Sequence, residues 1–133
     1  NSFCTLLESI HPMSAEGDRS KIYKLLSRVD WEEAKAAGVY KGAPIDLADG
    51  FMHFSTASQA QKTLELYFAG QKGLVSLEIN VADLEAACKA SGVDGARLQW
   101  DHSKSRGEDF PHLYGMPLPT SVVANVIDIP DDR

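Results

Sequence analysis

No apolar stretch of this chain runs far before a glycine or a proline interrupts it, and that punctuation decides what the chain can fold into. Gly38, Gly70 and Gly92 each follow a segment with helical spacing, where a left-handed residue closes a helix. Between those segments lie apolar or alternating runs of strand length. Short strands taking turns with short helices predict an α+β class: a single domain over residues 21–130 with split mixed sheets and short helices.

Residues 21–27, carrying Ile22, Tyr23, Leu25 and Leu26, read as a short buried strand. Asp30 caps a helix over 31–37, with Glu33 at the capping-box position. Residues 39–44 are a connector, 46–50 a turn and 51–55 a second strand. Thr56 caps the next helix, with Gln59 three residues on, and Ala57, Ala60, Leu64, Tyr67 and Phe68 share one helical face. Residues 73–79 alternate apolar and polar and give the clearest strand. A helix over 82–91 turns Leu84, Ala87 and Cys88 inward. Residues 96–100 read as a short strand, with Trp100 in the core, and 101–109 as a surface loop. Pro111, Pro117 and Pro119 keep the next stretch out of regular ladders. Residues 122–129 form the last strand, stopped by Pro130.

The 133 residues suffice for one core. A net charge of −6 argues against a basic face for duplex nucleic acid, but leaves room for a small pocket holding a phosphate-bearing molecule. Cys4 and Cys88 offer neither a disulfide framework nor thiolate zinc spacing. No apolar run approaches the roughly 20 residues that span a bilayer, so no membrane partner is expected and the cytoplasm is the expected location. Met13, followed by a polar stretch, resembles a translation start. Residues 1–20 are expected to form a disordered leader or extension, with 1–12 upstream of the start.

Two histidine motifs stand out, Phe51-Met52-His53-Phe54-Ser55-Thr56 and Phe110-Pro111-His112-Leu113-Tyr114-Gly115. Each sets an imidazole, able to exchange protons near neutral pH, beside hydroxyls. If Met52 and Phe54 face the core, His53 and Ser55 face a cleft or solvent. If Phe51 does, His53 is buried and needs hydrogen-bond partners. Ser55 and Thr56 stand where a strand enters a helix. Capping accounts for Thr56, and the free amides of a helix start also suit an anionic ligand. His112 is either a packed structural residue or a donor or base at a pocket rim, with Tyr114 as stacking or hydroxyl partner. Arg106 reads as an anion clamp or a solvated charge. Lys24 points to solvent or into the cleft. Asp101 could line the same cleft. A metal site from His53, Asp101, His102 and His112 lacks zinc-type spacing, and no metal is expected. A Ser55, His112, Asp101 triad lacks a nucleophile elbow.

With these residues laid out, the chain resembles a bacterial family, domain of unknown function 952. The likeness rests on Ile22-Tyr23-Lys24-Leu25, Ala48-Asp49-Gly50 running into the first histidine motif, Leu74-Val75-Ser76-Leu77-Glu78-Ile79, and the second histidine motif. That family is similar to the ADP-ribosyltransferase fold, which grips NAD between two small sheets. The resemblance implies that Tyr23 and Lys24 lie where those enzymes carry a histidine or arginine for the nicotinamide-side ribose. It implies too that residues 50–58 lie beside the nicotinamide. The late glutamate that activates the acceptor has no counterpart in 122–129, and Glu108 falls in the expected loop. Lys24 cannot copy the two-sided hydrogen bonding of an imidazole. Relatives acting on phosphorylated nucleic-acid ends manage without that glutamate. The expectation is therefore a pocket for a small nucleotide: NAD as substrate, ADP-ribose or a 2′-phosphate. His53 and His112 would be the catalytic residues, and Tyr23, Lys24, Ser55, Thr56, Arg106 and Tyr114 the ligand contacts. The alternative is a binding module without turnover, or a domain whose histidines are structural.

Overall fold

Strand β1 (Lys21–Ser27) divides its side chains between two cores. Ile22 and Leu26 join the larger cluster, with Trp31, Met52, Phe54, Leu77 and Leu113. Tyr23 and Leu25 turn the other way, against Ala60, Leu64, Leu74 and Ile129. This follows from the two-residue period of a strand with both faces covered. The structure is a computed structural model, and it describes residues 18–133. Cys4, Met13 and most of the leader expected over 1–20 lie outside the described residues.

Helix α1 (Arg28–Ala37) leads to β2 (Val39–Tyr40), helix α2 (Pro44–Asp49) and β3 (Met52–His53). Helix α3 (Ala57–Tyr67), β4 (Leu74–Asn80) and helix α4 (Val81–Ser91) follow. The chain closes with β5 (Arg97–Ser103), β6 (Glu108–Tyr114), β7 (Leu118–Pro119), a 3-10 turn (Thr120–Val122) and β8 (Val123–Asp128). The strands make sheets ordered β1-β4-β8, β3-β6-β5 and β2-β7. Every paired strand is antiparallel, so the sheets are split as expected but not mixed. The two larger sheets meet at one bridge, where Tyr23 and Ser55 exchange backbone hydrogen bonds of 2.7 and 2.9 Å. Among the described residues no helix is long and apolar enough to cross a membrane.

Three sequence expectations change. Helix α1 begins earlier, because the Ser27 hydroxyl accepts from the Asp30 amide at 3.0 Å. Ser27 is thus the cap, and Asp30 sits in the first turn, where its charge favours the dipole. The expected turn over 46–50 belongs largely to helix α2. Pro44 starts it with φ already set, and Gly50 closes it at φ 83°. Two turns of helix are too short to show apolar periodicity, and Asp46 rather than an apolar residue faces inward.

The third change is the hairpin of β5 and β6, where a loop and an irregular stretch were expected. Pro111 stands in the middle strand of its sheet, a place a proline normally disrupts. The Phe54 amide donates to the Pro111 carbonyl at 3.0 Å, and the return bond that Pro111 cannot donate falls where β3 ends. The missing N–H therefore costs only the last bond of the β3–β6 ladder. Cys88 is buried in the larger cluster, as its helical position suggests.

A paired-histidine face as candidate functional site

The register of β3 on β6 sets Met52 opposite Leu113 and His53 opposite His112. Leu113, Leu98 and Trp100 pack on the inner side with the larger core. By alternation His53, Phe110, His112 and Tyr114 share the outer face with Arg97, Gln99 and Asp101, their neighbours on β5. The imidazoles of His53 and His112 meet edge to face, ring centroids 5.1 Å apart. Phe51 packs against both rings and against Tyr114, at 4.8, 4.3 and 5.0 Å.

Each imidazole is anchored by a carboxylate at Nδ1. Asp46 Oδ1 lies 2.6 Å from His53 Nδ1, and Asp101 Oδ2 lies 2.7 Å from His112 Nδ1. Asp46 is buried and also accepts from Lys24 Nζ at 2.8 Å and from the amides of Ala43 and His53 at 2.7 and 3.0 Å. Burial alone would raise its carboxyl, but the hydrogen bonds from His53 and Lys24 and the lysine charge outweigh this and hold it far below the usual range. Lys24 is 5% exposed and donates a second bond to the His53 carbonyl at 2.9 Å. Burial pulls its pKa down, against the opposing pull of Asp46.

The two histidines differ at the far nitrogen. His53 Nε2 lies 2.9 Å from Asp49 Oδ2, at the end of α2. His53 thus has a carboxylate at each ring nitrogen. His112 uses Nδ1 on Asp101, and among the described residues its Nε2 has no protein partner. Burial lowers its pKa, an effect the Asp101 bond opposes and the neighbouring His53 reinforces. With Nδ1–H donated to Asp101, neutral His112 presents Nε2 as an acceptor. Desolvation would raise Asp101, yet bonds from Tyr114, Gln99 and His112 bring it down to about 2. The Tyr114 hydroxyl donates to it at 2.5 Å, which raises the phenol pKa. The face thus joins a proton acceptor, a doubly bonded imidazole and an aromatic platform.

Not all expected contacts gather here. His53, His112 and Tyr114 do, with Asp101 among them. Lys24 lies beneath as half of a buried ion pair, so neither open alternative, solvent or cleft, holds. Tyr23 is 1% exposed on the opposite face of β1 and donates to Glu78 at 2.9 Å, away from the histidines. Thr56 is buried and caps α3, its amide donating to Gln59 Oε1 at 3.0 Å. The Ser55 hydroxyl turns to Thr63 on α3 at 3.1 Å. A Ser55, His112, Asp101 triad therefore has its histidine and acid in contact but not its nucleophile. Arg106 reaches Thr63 Oγ1 at 3.2 Å and covers the Phe110 ring at 4.7 Å, towards the α3 end of the same face.

Sequence reasoning missed Asp46, Asp49 and Phe51 as parts of the site. Asp46 and Asp49 precede His53 by seven and four residues, and the signal was their place on a short helix ending at Gly50. Glu108 begins β6 instead of lying in a loop, and accepts weakly from Gln59 Nε2 at 3.4 Å. A recess of about 420 Å³ is walled by Phe51, Leu47, Met52, Leu113 and Met116, and neither His53 nor His112 lines it. Gly115 borders it at φ 84°, but the backbone approach it permits is to Ala96, within 2.8 Å of where a Cβ would stand. Among the described residues no three histidine, cysteine or acidic side chains are grouped for a metal.

No curated protein matches this chain. The crystal structure of protein CC0527 from Caulobacter crescentus is 42% identical, over 81% of this chain and 84% of that one, with a TM-score of 0.68. The solution structure of CC0527 is 41% identical, over 82% and 84%, with a TM-score of 0.65. Residues 25–126, from the second half of β1 into β8, match the family described as protein of unknown function (DUF952), and the chain belongs to that family.

Proposed function

We propose that the outer face of the β3-β6-β5 sheet is a pocket for a small nucleotide of the NAD or ADP-ribose kind, or for a 2′-phosphorylated end. The observation that carries this reading is the pair of imidazoles in contact, each fixed at Nδ1 by a carboxylate, with His112 Nε2 left as an acceptor. A ribose hydroxyl donates well to such a nitrogen, and a base or nicotinamide ring stacks on Phe51 or Tyr114. The similarity to the ADP-ribosyltransferase fold belongs to this proposal, as does NAD as the ligand.

Recognition without turnover is the second reading, and the contact between Asp49 and His53 Nε2 favours it. Glycosidic transfer on this face needs a group to stabilise or protonate what leaves, and Asp49 occupies the nitrogen that would do so. The absence of glutamate from β8 points the same way.

Titration with NAD, ADP-ribose and a 2′-phosphorylated nucleotide separates the readings. Binding should move the amide resonances of Phe51, His53, His112 and Tyr114 together, and His112→Ala should abolish the shifts. A nicotinamide-release assay then distinguishes transfer from recognition. Millimolar ligand with no clustered shifts removes both.

A further inference from the structure

Lys24 and Arg106 are the two cations the sequence placed around the histidines, and the structure treats them oppositely. The charge of Lys24 is met by Asp46. Arg106 is half-buried, yet among the described residues its partners are all neutral: Thr63 Oγ1 at 3.2 Å, the Gln59 carbonyl at 3.5 Å and the Phe110 ring at 4.7 Å. A partly desolvated charge normally finds a counter-charge. The four-residue turn from Ser103 holds Arg106 in place: the Ser103 hydroxyl accepts from the Arg106 amide at 3.3 Å, and the Gly107 amide donates to the Ser103 carbonyl at 2.8 Å. Stacking on Phe110 orients the guanidinium plane. Two bonds to α3 leave three of its five N–H groups for a ligand.

Phe110 is buried but belongs to neither apolar core; it lies on the outer face, two positions along β6 from His112. That separation is roughly 7 Å along a strand, the reach of one ribose and one phosphate. We infer that Arg106, propped on Thr63 and Phe110, is a phosphoryl-binding subsite. It takes the phosphate or pyrophosphate of a ligand whose sugar lies on the histidine pair. The inference deepens the nucleotide reading, because it fixes the ligand's direction: sugar towards Tyr114, phosphate towards α3. The Ser55 hydroxyl meets Thr63 Oγ1, which accepts from Arg106 and donates to the Gln59 carbonyl at 3.2 Å, so the three side chains form one hydrogen-bonded chain.

Sodium pyrophosphate is the probe, followed by NMR through the Arg106 Nε–H and Thr63 amide resonances. Wild-type protein should show saturable shifts at both. Arg106→Gln should weaken binding about tenfold or more, as loss of a charge-assisted bond does, while Lys89→Gln, an equal change of net charge on α4, should not. His112→Ala should keep the pyrophosphate shifts, so a nucleotide that fails to bind while pyrophosphate succeeds discards the histidine reading and leaves the subsite standing. Wild-type Arg106 and Thr63 signals unmoved by pyrophosphate, or binding unchanged in Arg106→Gln, overturn the inference. If Arg106→Gln melts early, Arg106→Lys serves instead and should bind more weakly than wild type, since a point charge lacks the planar fork.

Discussion

His53 and His112 face each other because β3 and β6 pair in a register that sets them directly opposite. Side chains opposed in this way stand about 4.5–5.5 Å apart at Cβ, so the 5.1 Å ring contact follows from strand pairing and needs no loop closure. A slip of one residue would send His112 into the core and bring Leu113 or Pro111 outward. The buried Met52 and Leu113, neighbours in the same register, fix it.

Asp101→Asn should lower the titration midpoint of His112 further. The carboxylate is what raises that midpoint against burial and against His53, and it also keeps the proton on Nδ1. Long-range proton–nitrogen NMR of the imidazoles reads both effects. A midpoint that stays or rises contradicts the dyad.

How much of this was legible beforehand differs between elements. Residues 21–27 and 73–79 read directly, because two-residue alternation or a continuous apolar run is a strong signal. So did the helices closed by Gly38 and Gly92. The histidine motifs were visible as motifs, and Tyr114 and Asp101 were named beside them. What was hidden depends on tertiary register. Pro111 made β6 look irregular, though its lost N–H falls on the last pair of the β3 ladder and the pairing with β5 is kept. Asp46 looked like a turn residue, and its four donors come from three residues, Lys24, Ala43 and His53. Lys24 and Arg106 had the same two readings in sequence, and only contacts across sheets and helices tell one from the other.

Asp46→Asn should cost about 3–5 kcal/mol of stability, the usual penalty for breaking a buried pair and stranding its partner. Lys24 would remain buried with its charge uncompensated. The double variant Lys24→Met with Asp46→Asn should cost less than the sum of the singles, because the two side chains share one interaction. Urea denaturation of the four proteins closes the cycle. Additive costs would mean that Lys24 and Asp46 act independently.

Gly115→Ala should destabilise by about 2 kcal/mol or more, since a left-handed backbone and a steric clash both oppose the methyl group. The added carbon would stand 2.8 Å from the Ala96 nitrogen, at φ 84°. Relief requires β6 to shift beyond Tyr114, so the Tyr114 side-chain resonances should move while those of α3 do not. Thermal melts with wild-type-like midpoints would contradict the contact.

Stability should fall as the solution is acidified from neutral, through three groups acting with the same sign. His112 has a folded pKa below its unfolded value of about 6.5, so the unfolded chain takes up its proton first and stability is lost as pH drops through that range. Asp101 and Asp46 are likewise depressed, Asp101 to about 2. Their contribution is complete above the unfolded carboxylate value of about 4 and disappears as pH falls towards the folded values. Melting temperatures measured across this span should decline in two stages, the first absent from His112→Gln and the second shallower in Asp101→Asn. A flat profile between about pH 7 and 5 would show that His112 is not held neutral, and with it would go the acceptor at the centre of the proposed pocket.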